Sequence, residues 1–117
     1  MFTVSIERGP DYVLAVSTGP ADVHCICSGA VFVADVLRRT GGKRLMFDMT
    51  ALTPQLERAE ALEVISTLYA SMPSMEKIAI LAPEQGSHGL VLEVARHRNV
   101  PAREFENASD ADAWLRS

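Results

Sequence analysis

Lys43-Arg44-Leu45-Met46-Phe47-Asp48 is the strongest indication of fold class in this 117-residue chain. Its apolar centre is short and ends on a carboxylate, which is typical of a buried strand. A second run of this kind, Lys77–Ala82, comes later, and a helix-like pattern fills the interval between the two. Because strands that alternate with helices form parallel sheets, the two runs predict parallel strands in an α/β fold.

The N-terminal residues predict an antiparallel hairpin. Phe2–Ile6 alternates apolar and polar residues with period two, as a half-buried strand does. Gly9-Pro10-Asp11 has the composition of a turn, and Tyr12–Val16 is a second run with strand character. The later parallel strands therefore extend a sheet that begins with an antiparallel pair.

A long helix is predicted between the hairpin and the central strand. Gly19-Pro20-Ala21-Asp22 opens it, with Pro20 in or before the first turn, where the amides lack partners in any case. The helix reaches about Arg39, and Gly41-Gly42 ends it.

The remaining elements complete a single domain over residues 1–117. Thr53 is predicted to cap a helix whose first residue is Pro54 and which runs to about Met72. The other predicted elements are the loop Pro83–Gly89, a helix over Leu90–Arg98, an edge strand over Pro101–Phe105 and a last helix capped by Ser109. The order is β-β-α-β-α-β-α-β-α, a single-domain mixed sheet of the α/β class.

The composition excludes several classes of protein. An apolar fraction of 48% excludes disorder, and two cysteines are too few for a disulfide scaffold. The formal charge is −4 and the basic residues are scattered, which argues against a nucleic-acid partner. We expect a cytoplasmic protein, since the N-terminus lacks the features of a signal peptide. The apolar stretch Val23–Leu37 is too short for a membrane span.

The first helix carries more apolar surface than one sheet can cover. Its core face is formed by Val23, Ile26, Ala30, Val33, Ala34 and Leu37. Its polar stripe is formed by His24, Ser28, Asp35, Arg38 and Arg39. A second apolar flank consists of Cys25, Gly29, Phe32 and Val36. The predicted helix over residues 54–72 has one apolar face only, so we expect a second subunit, a lipid-like ligand or a neighbouring helix to cover the second flank.

Polar residues gather where the predicted parallel strands end. This strand-end edge contains Asp48, Thr50, Thr53, Arg58, Glu84, Ser87 and His88. Ligands of open α/β sheets bind at such edges, and Asp48, Ser87 and His88 are the residue types of a hydrolytic site. No G-x-S-x-G elbow is present, however, so catalysis is the weaker interpretation.

The sequence predicts no metal site and no cofactor. His24, Cys25 and Cys27 cannot converge on one ion, because two residues that are two positions apart point to different sides of a helix. We expect Cys25 and Cys27 to be buried free thiols. Gly41-Gly42-Lys43-Arg44 lacks the spacing and the hydroxyl of a phosphate-binding loop.

The element order and several motifs resemble the SpoIIAA-like group of STAS-related domains. The resemblance extends over nearly the whole chain, through the hairpin, Lys43–Asp48, Lys77–Leu81 and the C-terminal segment. In this group a closing strand with Phe precedes a short helix with an acidic residue, Ala, Trp and Leu. The corresponding residues here are Phe105, Asp110, Ala113, Trp114 and Leu115.

The resemblance implies a regulatory domain that works through protein contacts. The best-known members are anti-sigma-factor antagonists with a phosphorylatable serine in an Asp-Ser-Ser-Gly-like motif after the central strand. The matching stretch here, Thr50-Ala51-Leu52-Thr53-Pro54, has neither that serine nor a glycine. At the predicted helix N-terminus, Thr53 would sit where the dipole favours phosphate, although a simple N-cap is the plainer interpretation. Relatives without the serine resemble the CRAL-TRIO lipid-binding fold in topology.

Together these features predict a non-catalytic STAS-like domain that binds another protein or forms a homodimer. The alternative is a carrier or sensor of a small apolar ligand, with the first helix as a movable lid. A hydrolase that uses Asp48, Ser87 and His88 is a third and weaker alternative.

Overall fold

Five strands form one mixed sheet in the order β1-β2-β3-β4-β5. The structure is a computed structural model, and it describes residues 1–82, 96 and 99–117. β1 and β2 are antiparallel, and each later strand runs parallel to its neighbour. The elements are β1 (Thr3–Arg8), β2 (Val13–Ala21), α1 (Val23–Thr40), β3 (Arg44–Pro54), α2 (Arg58–Ser71), β4 (Lys77–Leu81), β5 (Ala102–Phe105) and α3 (Ala108–Arg116). The predicted mixed α/β sheet is confirmed, while the predicted loop over residues 83–89 and, apart from Arg96, the predicted helix over 90–98 fall outside the described part.

The central strands are buried on both faces, as the two apolar runs predict. Leu45 and Phe47 of β3 join the core beneath α1 and α2, whereas Met46 packs with α3 on the opposite face. Ile80 and Leu81 of β4 divide between the two faces in the same way. This period of two places one apolar layer under each set of helices.

β2 is longer than predicted. It continues past Val16 to Ala21, so Gly19 and Pro20 belong to the strand rather than to the helix. Gly19 has a φ of 91°, a conformation that glycine adopts without strain, and its backbone lies close to the carbonyl of Met1. The strand persists because β3 supplies hydrogen-bonding partners along this whole length.

β3 is also longer than predicted, and this overturns the role predicted for Thr53. Thr53 lies in β3 opposite Pro20, so it neither caps a helix nor precedes one directly. Pro54 ends the strand, a position where its missing amide hydrogen is tolerated. α2 begins at Arg58 behind a capping box between Glu57 and Glu60. A polar pair thus fixes the helix start, and the Thr-Pro signal closes the strand instead.

The helix ends follow local capping chemistry. Gly41, in the left-handed conformation, ends α1 and donates its amide hydrogen to Leu37 O at 3.0 Å, as predicted. The cap of α3 differs from the prediction: Asn107 Oδ1 accepts from Asp110 N at 2.9 Å, and Ser109 lies inside the helix. An asparagine two residues earlier therefore starts the turn.

Candidate protein-contact surface

α1 is anchored at its first turn by an acidic cap. Asp22 Oδ1 accepts a hydrogen bond from Cys25 N at 2.9 Å, and this bond lowers the pKa of the Asp22 carboxyl. A carboxylate at this position also interacts favourably with the positive end of the helix dipole. The cap satisfies one of the first-turn amides that have no partner within the helix.

The predicted core face of α1 is largely confirmed. Ala30, Val33, Ala34 and Leu37 are buried, and Val33 and Leu37 belong to the core beneath the helices. Val23 and Ile26, near the first turn, are only half-buried.

Strand β1 covers part of the second flank. A Cβ atom placed on Gly29 would lie 3.1 Å from Val4 Cγ2 and 3.2 Å from Phe2 Cζ, so the helix backbone rests directly on these two side chains. Cys25 and Val36 are half-buried. Although α2 packs beside α1, the side chains against Gly29 come from the N-terminal segment, which is none of the three coverings that the sequence suggests.

Phe32 and the adjacent Val31 are each about half exposed on α1. Phe32 is 49% exposed and Val31 is 52% exposed. We call these two residues the α1 patch. Apolar residues this exposed and adjacent mark a surface that gains free energy when a partner covers it.

Sequence reasoning missed Val31. It lies in the polar stripe, where Ser28 and Asp35 are its neighbours one turn away on either side. A valine in an otherwise polar stripe was the signal that could have identified it. On α2, Leu62 is a further exposed apolar side chain, with 37% exposure.

At the strand-end edge, the structure brings Asp48 and Thr50 together. Asp48 lies opposite Leu81, the last residue of β4. Asp48 Oδ1 accepts from Thr50 N at 3.0 Å and from Thr50 Oγ1 at 2.7 Å. These bonds satisfy one oxygen of the carboxylate within its own strand, an arrangement typical of a local backbone brace.

The other residues predicted at this edge are exposed or lie outside the described residues. Thr53 is exposed in β3, and Arg58 is exposed at the first position of α2. Glu84, Ser87 and His88 lie outside the described residues. Because Thr53 is not at a helix N-terminus, a phosphate on it would not gain the helix dipole that the sequence prediction assumed.

A polar network joins α3 to the β1–β2 turn. Tyr12 donates its hydroxyl hydrogen to Asp112 Oδ1 at 2.6 Å, and Arg116 Nε donates to both oxygens of Asp112 at 2.9 and 3.0 Å. Arg116 also pairs with Asp11. The hydrogen bond to Asp112 raises the pKa of Tyr12, and the same bond lowers the pKa of Asp112. A depression of about 430 Å³ opens beside Arg116, whose guanidinium is already paired with Asp11 and Asp112.

The two cysteines are free thiols, as predicted, although they are half-buried rather than buried. Over residues 1–82, 96 and 99–117, no group of three metal-ligating side chains comes together. Within the same part of the chain, no helix has the length and apolar character needed to cross a membrane.

Comparisons with known proteins identify the fold. No protein-family model matches the sequence, and a search of curated proteins found no match. A solved structure from Shewanella loihica PV-4, of the DUF3478 family with a SpoIIAA-like fold, is 19% identical over 97% of this chain and 93% of that chain, with a TM-score of 0.61.

Two further solved structures share the architecture. An anti-sigma factor antagonist from Mycobacterium paratuberculosis is 12% identical over 100% of this chain and 96% of that chain, with a TM-score of 0.66. The Bacillus cell fate determinant SpoIIAA, in its phosphorylated form, is 10% identical over 96% and 99%, with a TM-score of 0.50. The chain therefore has the SpoIIAA-like α/β fold that the motifs of its sequence predict.

Proposed function

We propose that the chain is a non-catalytic, single-domain regulatory or scaffolding protein of the cytoplasm that acts through protein contacts and self-associates through the α1 patch. One observation carries the proposal: Val31 and Phe32 are each about half exposed, side by side, on a helix whose core face buries Ala30, Val33, Ala34 and Leu37.

The surroundings of the patch suit a protein partner. Ser28 is exposed on one side, while Asp35 and Arg39 form an ion pair at 3.0 Å on the other. An apolar centre with a polar rim is the usual arrangement of protein–protein interfaces, and aromatic residues contribute strongly at their centres.

The fold comparisons support the same class of function. One of the solved structures with this architecture is described as an anti-sigma factor antagonist, which implies a protein partner for that protein. For the present chain we infer only the general role, which is regulation through contact with another protein.

The packing of Gly29 makes the apolar-ligand alternative less favourable. A lipid-like ligand under α1 needs space between the helix and the sheet, and Phe2 and Val4 occupy that space at Gly29. The hydrolase alternative has one described member, Asp48, which is hydrogen-bonded to Thr50. Native mass spectrometry of freshly purified protein tests the ligand alternative, because a retained ligand gives a constant mass adduct.

Light scattering coupled to size-exclusion chromatography tests the proposal. We expect the wild type to elute as a dimer at micromolar concentration and Phe32→Ser to elute as a monomer. Leu62→Ser, which removes an exposed apolar side chain from α2, is the matched control and should stay dimeric. A wild-type protein that is monomeric at every concentration contradicts self-association.

A further inference from the structure

We infer that the self-association is an antiparallel pairing of α1 with α1 of a second copy, with the two-fold axis between Val31 and Phe32. This inference rests on the proposed function and adds the partner's orientation and register to it. Two identical subunits form closed dimers through isologous contacts, in which residue i meets residue j and j meets i.

The exposed residues of α1 are arranged symmetrically about that point. A two-fold axis between Val31 and Phe32 exchanges these two residues, exchanges Ser28 with Asp35, and exchanges His24 with Arg39. Each of these residues is exposed, apart from Asp35, whose side chain keeps 49% of its accessible surface. The axis therefore brings solvent-accessible residues of one copy against solvent-accessible residues of the other.

The matched pairs are chemically favourable at the centre. Phe32 meets Val31 of the second copy, and both are apolar. The Ser28 hydroxyl meets the Asp35 carboxylate of the second copy. Arg39 Nε lies 3.0 Å from Oδ2 of that carboxylate, so Oδ1 is the acceptor for the hydroxyl. Each contact occurs twice in the dimer, so one helix face supplies two apolar pairs and two hydrogen bonds. The pair of His24 and Arg39 lies farthest from the axis, at the solvated rim.

Other arrangements of the same helix pair are less favourable. A parallel pair brings Asp35 against Asp35 and Arg39 against Arg39, and like charges in contact oppose association. Moving the antiparallel axis half a turn toward the C-terminus brings Phe32 against the Asp35 carboxylate. Moving it half a turn toward the N-terminus brings Phe32 against Ser28. Among the three antiparallel registers compared, the axis between Val31 and Phe32 is the one that brings Phe32 against an apolar residue.

Disulfide cross-linking tests orientation and register together. The native thiols are first removed with Cys25→Ser and Cys27→Ser, and S28C and D35C are then made separately in that background. Packed helices lie about 8–10 Å apart, so facing Cβ atoms reach disulfide distance. We expect an oxidised mixture of the two variants to give a covalent dimer and either variant alone to give little. A mixture that fails to cross-link, or single variants that cross-link efficiently by themselves, overturns the inference.

A charge series provides an independent test with the native cysteines in place. Ser28→Asp places two carboxylates together in the proposed register, so we expect the dimer dissociation constant to rise about tenfold or more, whereas Ser28→Lys should lower it. Equal effects of the two variants overturn the register.

The measured mass separates the two possible failures. If the wild type is dimeric and Phe32→Ser is monomeric but the cross-link is absent, self-association through the α1 patch stands and the antiparallel register is wrong. If the wild type is monomeric, both fail.

Discussion

Gly29 of α1 packs directly on Val4 of β1, where a Cβ atom would lie 3.1 Å from Val4 Cγ2. This contact fixes the distance between helix and strand, and it divides the apolar flank of α1 into a covered part and an uncovered part. Because Gly29 is covered within the chain, the surface available to a partner is reduced to the α1 patch.

A large side chain at Gly29 should separate α1 from β1. We expect Gly29→Leu to lower the free energy of unfolding by about 1–3 kcal/mol, the usual cost of overpacking. Chemical denaturation measures this difference. Ala70→Leu, at an exposed position of α2, is the control and should change stability by less than about 0.5 kcal/mol. Equal effects of the two variants would show that the Gly29 contact is not tight.

Lys77 holds the C-terminal end of α3 against the sheet. Its Nζ donates to Trp114 O at 2.8 Å and to Ser117 Oγ at 2.6 Å, and it lies 5.3 Å from the centre of the Trp114 ring. We expect Lys77→Met to cost about 1–2 kcal/mol of stability, since it removes charged hydrogen bonds and a cation–π contact in a half-buried place. Lys43→Met removes one exposed bond to Ser74 O and serves as the control. Thermal unfolding of both variants gives the comparison.

The network of Tyr12 and Asp112 predicts a specific loss of stability in acid. The pKa of Asp112 is lowered from 3.8 in the folded protein, first by the hydrogen bond from Tyr12 and then by Arg116. The stabilisation is therefore present above pH 3.8 and is lost as the pH falls through the lower folded value. Tyr12→Phe should flatten this acid-side decline. Denaturation at a series of pH values measures the slope, and an unchanged slope would contradict the role of Tyr12.

Both tyrosines of the chain should resist ionisation. The pKa of Tyr12 is raised by its bond to Asp112, and the pKa of Tyr69 is raised by burial and then by the charge of Glu104. A spectrophotometric titration of the folded protein should show phenolate midpoints above 10.0, and denatured protein should titrate near that value. In the Tyr12→Phe variant the remaining tyrosine is Tyr69, whose pKa is raised more strongly. A normal titration of this variant would contradict the burial of Tyr69.

The fold could be predicted because each buried strand is a short apolar run that is recognisable in the sequence, although its burial depends on distant parts of the chain. The buried run around Phe47 has one stable place in an α/β domain, the centre of a sheet. The ends of elements are harder to predict. Thr53 and Pro54 have the composition of a helix start, yet pairing with β2 extends the strand through both residues. Tertiary hydrogen bonding thus overrides a local capping signal.

Only one residue of the α1 patch, Phe32, could be predicted from the sequence. A helical wheel shows that Phe32 lies outside the core face of α1. It places Gly29 on the same flank, because a wheel contains no information about which strand lies beneath the helix. The helical wheel does not identify Val31, because Val31 lies in the polar stripe between Ser28 and Asp35. Only the packing of β1 against α1 separates the covered residue from the two exposed ones.

Sedimentation equilibrium of the wild type over a range of concentrations measures self-association through the α1 patch. We expect the average mass to rise from 12.7 kDa toward that of two chains as the concentration increases, and Phe32→Ser to remove this rise. A mass that stays at 12.7 kDa at all concentrations, or a rise that Phe32→Ser leaves intact, contradicts self-association through the α1 patch.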